Sequence, residues 1–498
     1  MEAISLKGII SNIIAKAKKY NNEYKNSWIN SNTELYIDLK LSQSEIIEII
    51  LELEKEYDTR IISIPLSLPN FKIVYLAQVF EYSIKFNGET HRKNLLQYAV
   101  DHVEIYQKLA EISDIAVFRD VKWDIGFHSS CGEFESIVDL YHSHYSCGEM
   151  ICERVVELSG DIGFSLKTPI EQLISELQIW RKRIDWYGIS PKEKVVKFAN
   201  FNYIGNRIAY PENEVAINEK GRVMGIFVSK VSSSTIDYFW RKICKFSPKW
   251  IVGDSSIIYN FSKYMLRNEF TLDDVTYVEI EANNVLSKEI LTEIQKAFRH
   301  AKISIAISNP HIGSFLLTCP NGHVHLINEA TVLEIEQKNK SQVGFSQIMI
   351  SSLLNVMAPI ININSFLYGR KDKEIICDYS HGKDILLLAP TNGFVGFYDD
   401  ADWAVSAKSV EMCIDLLNAE YNNPISAMQI VQTDKCQIRL FLRIKQEFKN
   451  WKSTLADSML GYLKNMISSN MDWQIVFVDE MYPCEYTGIL SYYQNYSL

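Results

Sequence analysis

Two short stretches of this chain repeat one arrangement of reactive side chains. His128-Ser129-Ser130-Cys131-Gly132-Glu133 is echoed by His144-Tyr145-Ser146-Cys147-Gly148-Glu149. Two His-x-x-Cys pairs offer the four nitrogen and sulfur donors that tetrahedral Zn2+ takes. Alternatively an imidazole activates a neighbouring thiol, and Cys131 or Cys147 serves as the nucleophile of an acyl transfer. The surrounding segment is rich in loop-forming residues, and coincidence is the reading preferred for both pairs.

The rest of the chain must supply whatever positions such groups. Its 498 residues suit two or three domains. A hydrophobic content of 47% and a charged content of 22% are ordinary for a globular protein with a large core. The net charge of −10 comes without a basic block or stripe, so no nucleic-acid partner is expected. The nine cysteines are scattered and odd in number, with no signal-peptide pattern ahead of them. A disulfide framework is therefore not expected, and the reducing cytoplasm is the expected compartment. No stretch reaches the roughly 18 apolar residues of a membrane span.

The first ninety residues carry helical periodicity. Leu6, Ile9, Ile10, Ile13 and Ile14 share one helix face, and Ile46, Ile47, Ile50, Leu51, Leu53 and Tyr57 share another. Ser42 followed by Glu45 predicts a capping box at the start of that second helix. A third helix is predicted over 71–83, and Asn87-Gly88-Glu89 reads as a linker. From about Leu95 helices and strands alternate. Strands are predicted over 195–201, 223–228, 250–252, 277–280 and 303–307, with helices over 233–244, 255–266 and 288–300. Beyond Ser314 the chain turns strand-rich. After Asp400 it reads helix, strand, strand, helix, strand, which suffices for a small α+β domain. The expected fold class is α/β: a large domain with buried sheets over 89–399, a small α+β domain over 400–498, and a helical bundle over 1–88.

Five segments resemble the phenylacetate-CoA ligase branch of the adenylate-forming (acyl-activating) superfamily. They are Trp250 to Tyr264, Thr318-Cys319-Pro320-Asn321-Gly322-His323-Val324-His325 with the strand after it, Met357 to Ile363, Ile425 to Gln432, and Phe477 to Gly488. They occur in the family's order, within a resemblance that runs from about Leu95 to the C-terminus, some four-fifths of the chain. The N-terminal part resembles an acyl carrier protein, through Leu53 to Ile61 and the helix after Phe71.

The resemblance implies ATP-dependent activation of a carboxylate, and it also exposes what this sequence lacks. The family's phosphate-cradling loop matches Ser159-Gly160-Asp161-Ile162-Gly163-Phe164. The glycines survive, but Asp161 and Ile162 replace hydroxyl residues. A carboxylate about 4 Å from a phosphate would be repelled by roughly 4 kcal/mol at an effective dielectric of 20. Asn309 stands where the family's Mg2+ carboxylate belongs and brings no charge. Ser365-Phe366-Leu367 holds the place of the ribose-binding acid, Gly396-Phe397 replaces Gly-Arg, and Ile489 replaces the lysine that meets the α-phosphate. Lys383, Arg370 or Lys408 could supply a substitute cation. ATP and Mg2+ are therefore not expected as cofactors, and no catalytic residue is assigned.

The carrier-like part shows the same erosion. Its phosphopantetheine position falls on Gln43, with Ser42 and Ser44 as neighbours one residue to either side, so a pantetheine arm is not expected. The ligase resemblance also implies a structural zinc. Its ligands here would be Cys319, His325, Cys377 and His381, a set of two thiolates and two imidazoles.

The expected function is that of a non-catalytic homologue of AMP-forming acyl or aryl-CoA ligases. It would act as scaffold or partner subunit beside carrier-protein-linked biosynthetic enzymes or acyl carrier proteins. The rivals are an active ligase with atypical motifs and an acyl-transfer enzyme using a cysteine nucleophile in the old pocket.

Overall fold

The computed structural model describes residues 5–20, 29–102 apart from 36, 63, 65–71 and 86–87, and most of 151–495. Within the last span, residues 157–158, 200–201, 205–206, 210–213, 229–231, 284, 328, 341–343, 362, 373–374, 380–384, 390–395, 400–401, 469, 484–490 and 492 lie outside the description.

The protein is a mixed α/β structure built on a 12-stranded sheet. Its parallel half runs Lys302–Asn309, Tyr277–Ala282, Trp250–Asp254, Val195–Ala199, Val223–Phe227, and Glu214–Asn218 pairs antiparallel at that edge. Its other half is antiparallel, with Gly313–Thr318, Val324–Leu326, Ile385–Leu388, Ile363–Asp372, Ser346–Ser352 and Thr331–Lys340 in spatial order. Successive strand residues face opposite sides, so each strand feeds two cores. Val196, Ile251, Val278 and Ile305 join the core beneath the helices Ser233–Phe246, Ser255–Arg267 and Lys288–Ala297. Val195, Trp250, Tyr277 and Ala306 join the core of the other face. That face is covered by the helix Pro169–Tyr187, which opens on a capping box of Thr168 and Glu171. The buried Glu171 carboxylate also accepts the backbone N–H groups of Val356 and Met357, at 2.5 and 2.7 Å.

The N-terminal helices Leu6–Tyr20, Gln43–Tyr57 and Ile73–Lys85 form where the periodicity predicts them, and both bonds of the Ser42–Glu45 capping box are made. Their apolar residues belong to the same core as the outer face of the sheet. Arg181 of the Pro169–Tyr187 helix reaches across to a buried ion pair with Glu54 and donates to the Ile61 carbonyl at 3.0 Å. The linker expected at 87–89 differs: Gly88 begins a further helix, Gly88–His102. A polar stretch without strong periodicity looks like a linker in the sequence even when it continues as helix.

The C-terminal part has a sheet ordered Asp472–Phe477, Gln437–Ile444, Ile425–Asp434, Tyr493–Asn495, with the helices Ala407–Glu420 and Lys452–Met466. Its core admits Ile162 and Phe397 from earlier in the chain. Among the described residues no helix is long and apolar enough to cross a membrane.

Candidate metal centre and the positions matched to a nucleotide site

Strands Gly313–Thr318 and Val324–Leu326 form an antiparallel hairpin that pairs Leu317 with His325 and Thr318 with Val324. Its turn is held by two backbone bonds, Gly322 N–H to the Cys319 carbonyl and Cys319 N–H to the His323 carbonyl, both 2.8 Å. Gly322 has φ +82°, a left-handed conformation that a side chain disfavours. The Cys319 thiol at this turn receives the backbone N–H groups of Asn321 and His323. His323 and His325 are two apart on an extended segment, so their rings emerge on the same side.

Cys377 arrives from the segment 375–379, which lies in the chain between the strands Ile363–Asp372 and Ile385–Leu388, the latter paired with Val324–Leu326. Its Sγ lies 3.7 Å from Cys319 Sγ. Donor atoms of Cys319, His323, His325 and Cys377 all lie within 4.8 Å of one another. Two sulfurs each about 2.3 Å from one tetrahedral zinc stand about 3.8 Å apart. His323 Nδ1 is buried and has no hydrogen-bond partner among the described residues. Burial, with Cys377 close by, holds the Cys319 thiol above its ordinary range. A divalent cation is the natural counter-charge for such a pair, and the donor set fits Zn2+. Four protein donors would leave a bound ion no open position, the arrangement of a structural rather than a catalytic zinc.

The structure brings together Cys319, His325 and Cys377 of the expected ligand set. His381 lies outside the described residues, and His323 stands beside the other three. The signal for His323 was available in the sequence: a histidine directly after the turn glycine and two residues before another histidine. His128, Cys131, His144 and Cys147 also lie outside the described residues.

The positions matched to the nucleotide site have other employment. Strands Ile151–Val156 and Ile162–Lys167 form a hairpin whose turn carries Ser159, Gly160 and Asp161. Asp161 forms an ion pair with Arg443 of the C-terminal sheet. Ser159 Oγ donates to the Asp161 carboxylate at 2.9 Å. The Met428 N–H donates to the Gly160 carbonyl at 2.8 Å, and Asp161 bridges to Ala427. Arg154 of the same hairpin pairs with Asp415 at 3.0 Å. Gly163 follows within the hairpin's second strand, opposite Val155. The candidate phosphate loop is thus seated on the strand Ile425–Asp434.

Asn309 uses its side-chain oxygen to accept the His311 N–H at 3.0 Å, closing the turn to the next strand. Ser365 donates to the Ile348 carbonyl at 2.7 Å. Phe397 is fully buried, with its ring 5.4 Å from that of Trp473. A Cβ on Gly396 would come within 1.9 Å of the Val405 carbonyl, so this glycine serves a close backbone approach. Ile489 and Lys383 lie outside the described residues. Of the candidate cations, Arg370 covers the Phe345 ring at 5.5 Å. Lys408 stands 4.0 Å from Asp254, at the carboxyl end of a parallel strand. Burial works against its charge, and the carboxylates of Asp254, Glu281 and Glu411 outweigh that and hold it above the ordinary lysine range.

At the carrier position, Ser42 Oγ donates to Glu45 at 3.0 Å and accepts from Arg222 at 3.2 Å. Lys220 pairs with the same Glu45 at 2.6 Å, and Ser44 is buried. Ser42, Gln43 and Ser44 therefore sit at a helix start that faces the large sheet's edge.

No family model matches the chain, and no curated protein matches it. Among solved structures it is similar to 2-hydroxyisobutyryl-CoA ligase in complex with 2-HIB-AMP and CoA. That match has 11% identity and a TM-score of 0.47, and covers 82% of this chain and 88% of the other. It is also similar to the anthranilate CoA ligase AuaEII with anthranoyl-AMP, at 11% identity and TM-score 0.33, covering 68% and 66%. A third is o-succinylbenzoate CoA synthetase from Bacillus subtilis, at 9% identity and TM-score 0.37, covering 68% and 67%.

Proposed function

We propose that this protein is a non-catalytic relative of AMP-forming acyl and aryl-CoA ligases. It acts as a scaffold or partner subunit for carrier-protein-linked acyl biosynthesis and is held together by a structural zinc. The observation that carries the reading is the use made of Asp161. In the place where phosphates would need N–H donors and a cation, the loop presents a carboxylate already paired with Arg443, and its backbone is bonded to the C-terminal sheet. Asn309, Ser365 and Phe397 support it, since each is committed to its own surroundings. Zinc, when bound, would supply a cross-link between the hairpin 313–326 and the segment 375–379. Cys319, His323, His325 and Cys377 are the residues that would hold it.

Mg-ATP binding is the test. A ligand at 100 times its Kd raises stability by about 2.7 kcal/mol. The expected result is no shift in thermal unfolding at millimolar Mg-ATP, and no carboxylate-dependent exchange of pyrophosphate into ATP. Exchange with any carboxylic acid would restore the active ligase. Incubation with a phosphopantetheinyl transferase should likewise leave the protein mass unchanged.

A further inference from the structure

Two thiols that share a metal have a second way of bonding. Cys319 Sγ and Cys377 Sγ are 3.7 Å apart, and a disulfide holds its sulfurs at about 2.05 Å. The pair therefore has about 1.7 Å to close. The two residues belong to different segments, so the bond would join the hairpin turn to the segment 375–379, as the metal would. Both thiols are buried, yet the cover is thin: Asn321 and Gly322 of the turn are exposed, and Ile376, next to Cys377, is 93% exposed. Asn321 Nδ2 lies 4.0 Å from Cys377 Sγ. An oxidant the size of hydrogen peroxide has about one layer of side chains to pass. Cys413 contrasts with them: it is enclosed in the C-terminal core, where its thiol donates to the Ser409 carbonyl at 3.4 Å.

We propose that Cys319 and Cys377 form a metal-guarded redox pair, which a peroxide converts to a disulfide with release of the zinc. Release rests on the metal reading above, whereas the disulfide rests on the sulfur geometry alone. One sulfur attacks a peroxide oxygen and the O–O bond breaks. A sulfenic acid forms, and the departing hydroxide leaves as water with a proton from the thiol or from solvent. The second sulfur then attacks the sulfenic sulfur, the S–O bond breaks, and a second water leaves. Two thiols lose two electrons and one peroxide gains them. The histidines keep no metal once both sulfurs are spent, because two imidazoles alone hold zinc weakly.

The experiment uses the full chain, purified without a histidine tag. Zinc per chain is measured first. Hydrogen peroxide is then titrated, with released zinc read by a chromogenic chelator and the protein read by intact mass and peptide mapping. The expected result is one zinc released per chain, a mass lower by about 2 Da from the two hydrogens lost, and one linked peptide pair containing Cys319 and Cys377. Reductant with added zinc should reverse it. His323→Ala keeps both sulfurs and weakens the metal, and should speed linkage by about tenfold. Cys377→Ser should abolish the link, with His323→Ala as the working comparison if that variant does not fold. Zinc-loaded protein that keeps its metal and both thiols while exposed Cys244 is oxidised would overturn the switch and leave the metal reading standing. Protein that binds no zinc yet forms the link would overturn the release and the metal reading, and uphold the disulfide.

Discussion

The turn at 159–161 and the turn at 319–323 each follow a strand, each contain a glycine with positive φ, and each match a functional stretch of the family this chain resembles. Their polar groups end differently. In the first, Asp161 is matched by Arg443, Ser159 by Asp161, and the Gly160 carbonyl by Met428. In the second, two thiols and two imidazoles converge within 4.8 Å. A turn whose charges are satisfied within the chain offers none of them to a ligand. A turn that gathers four donors on one point still asks for a ligand. Retention of a glycine therefore says nothing of retained chemistry; the partners of the side chains beside it decide.

The largest expected effect separates the turns by metal. Zinc at about 1,000 times its Kd should raise unfolding stability by about 4 kcal/mol over the chelated protein, measured by urea denaturation. Mg-ATP should do nothing at the other turn. The pH dependence carries opposite signs in the two metal states. In metal-free protein the folded Cys319 thiol is held above the ordinary 9.0, so the folded state keeps its proton longer than the unfolded one. That contribution is present below about pH 9 and is lost as pH rises through the raised value. Zinc needs thiolates, so the zinc-bound protein instead loses stability as pH falls. Parallel denaturation series at pH 6 to 10 with and without zinc check both signs.

The next effect breaks the first turn. Asp161→Ala leaves Arg443 half-enclosed without its counter-charge and should cost about 1.5–3 kcal/mol, with protease cleavage appearing first near residues 157–161. The double variant with Arg443→Ala should cost less than the sum of the single changes, because the two residues share one interaction. Neither variant should acquire Mg-ATP binding.

Smaller still, Gly322→Ala tests the backbone alone. Its Cβ would meet nothing within 4 Å, but φ is +82°, so the cost should be about 1–2 kcal/mol and zinc affinity should fall with it. Unchanged zinc affinity in a calorimetric titration would show that the turn does not preorganise the site. A last effect is expected from Asn309→Asp: Asp still accepts the His311 N–H, but its charge enters a buried position, so a loss of about 1 kcal/mol is expected. If magnesium then bound with micromolar affinity, Asn309 would be the sole defect of that site and the comparison between the turns would fail.

The sequence by itself determined what lies within a few residues. The Ser42–Glu45 cap, the alternation of strand and helix from Val223 to Ala297, and the order of elements from Ala407 to Phe477 follow from local periodicity and capping, which neighbours at three or four positions decide; the strands Glu214–Asn218 and Tyr493–Asn495 were not legible in it. The hairpin that carries Cys319, His323 and His325 is local in the same sense. Only the tertiary structure decided what meets across distance. Cys377 lies 58 residues from Cys319, and Arg443 lies 282 residues from Asp161. Nothing in the residues around Asp161 indicates whether its carboxylate faces a phosphate or a guanidinium. The same holds for the N-terminal helices: periodicity gives each an apolar face, but the Glu54–Arg181 pair and the core shared with Trp250 and Tyr277 settle what that face covers. Local structure is set by short-range sterics and hydrogen bonds. Long-range partners are set by which faces the sheet order brings together, and chain connectivity alone does not encode that order.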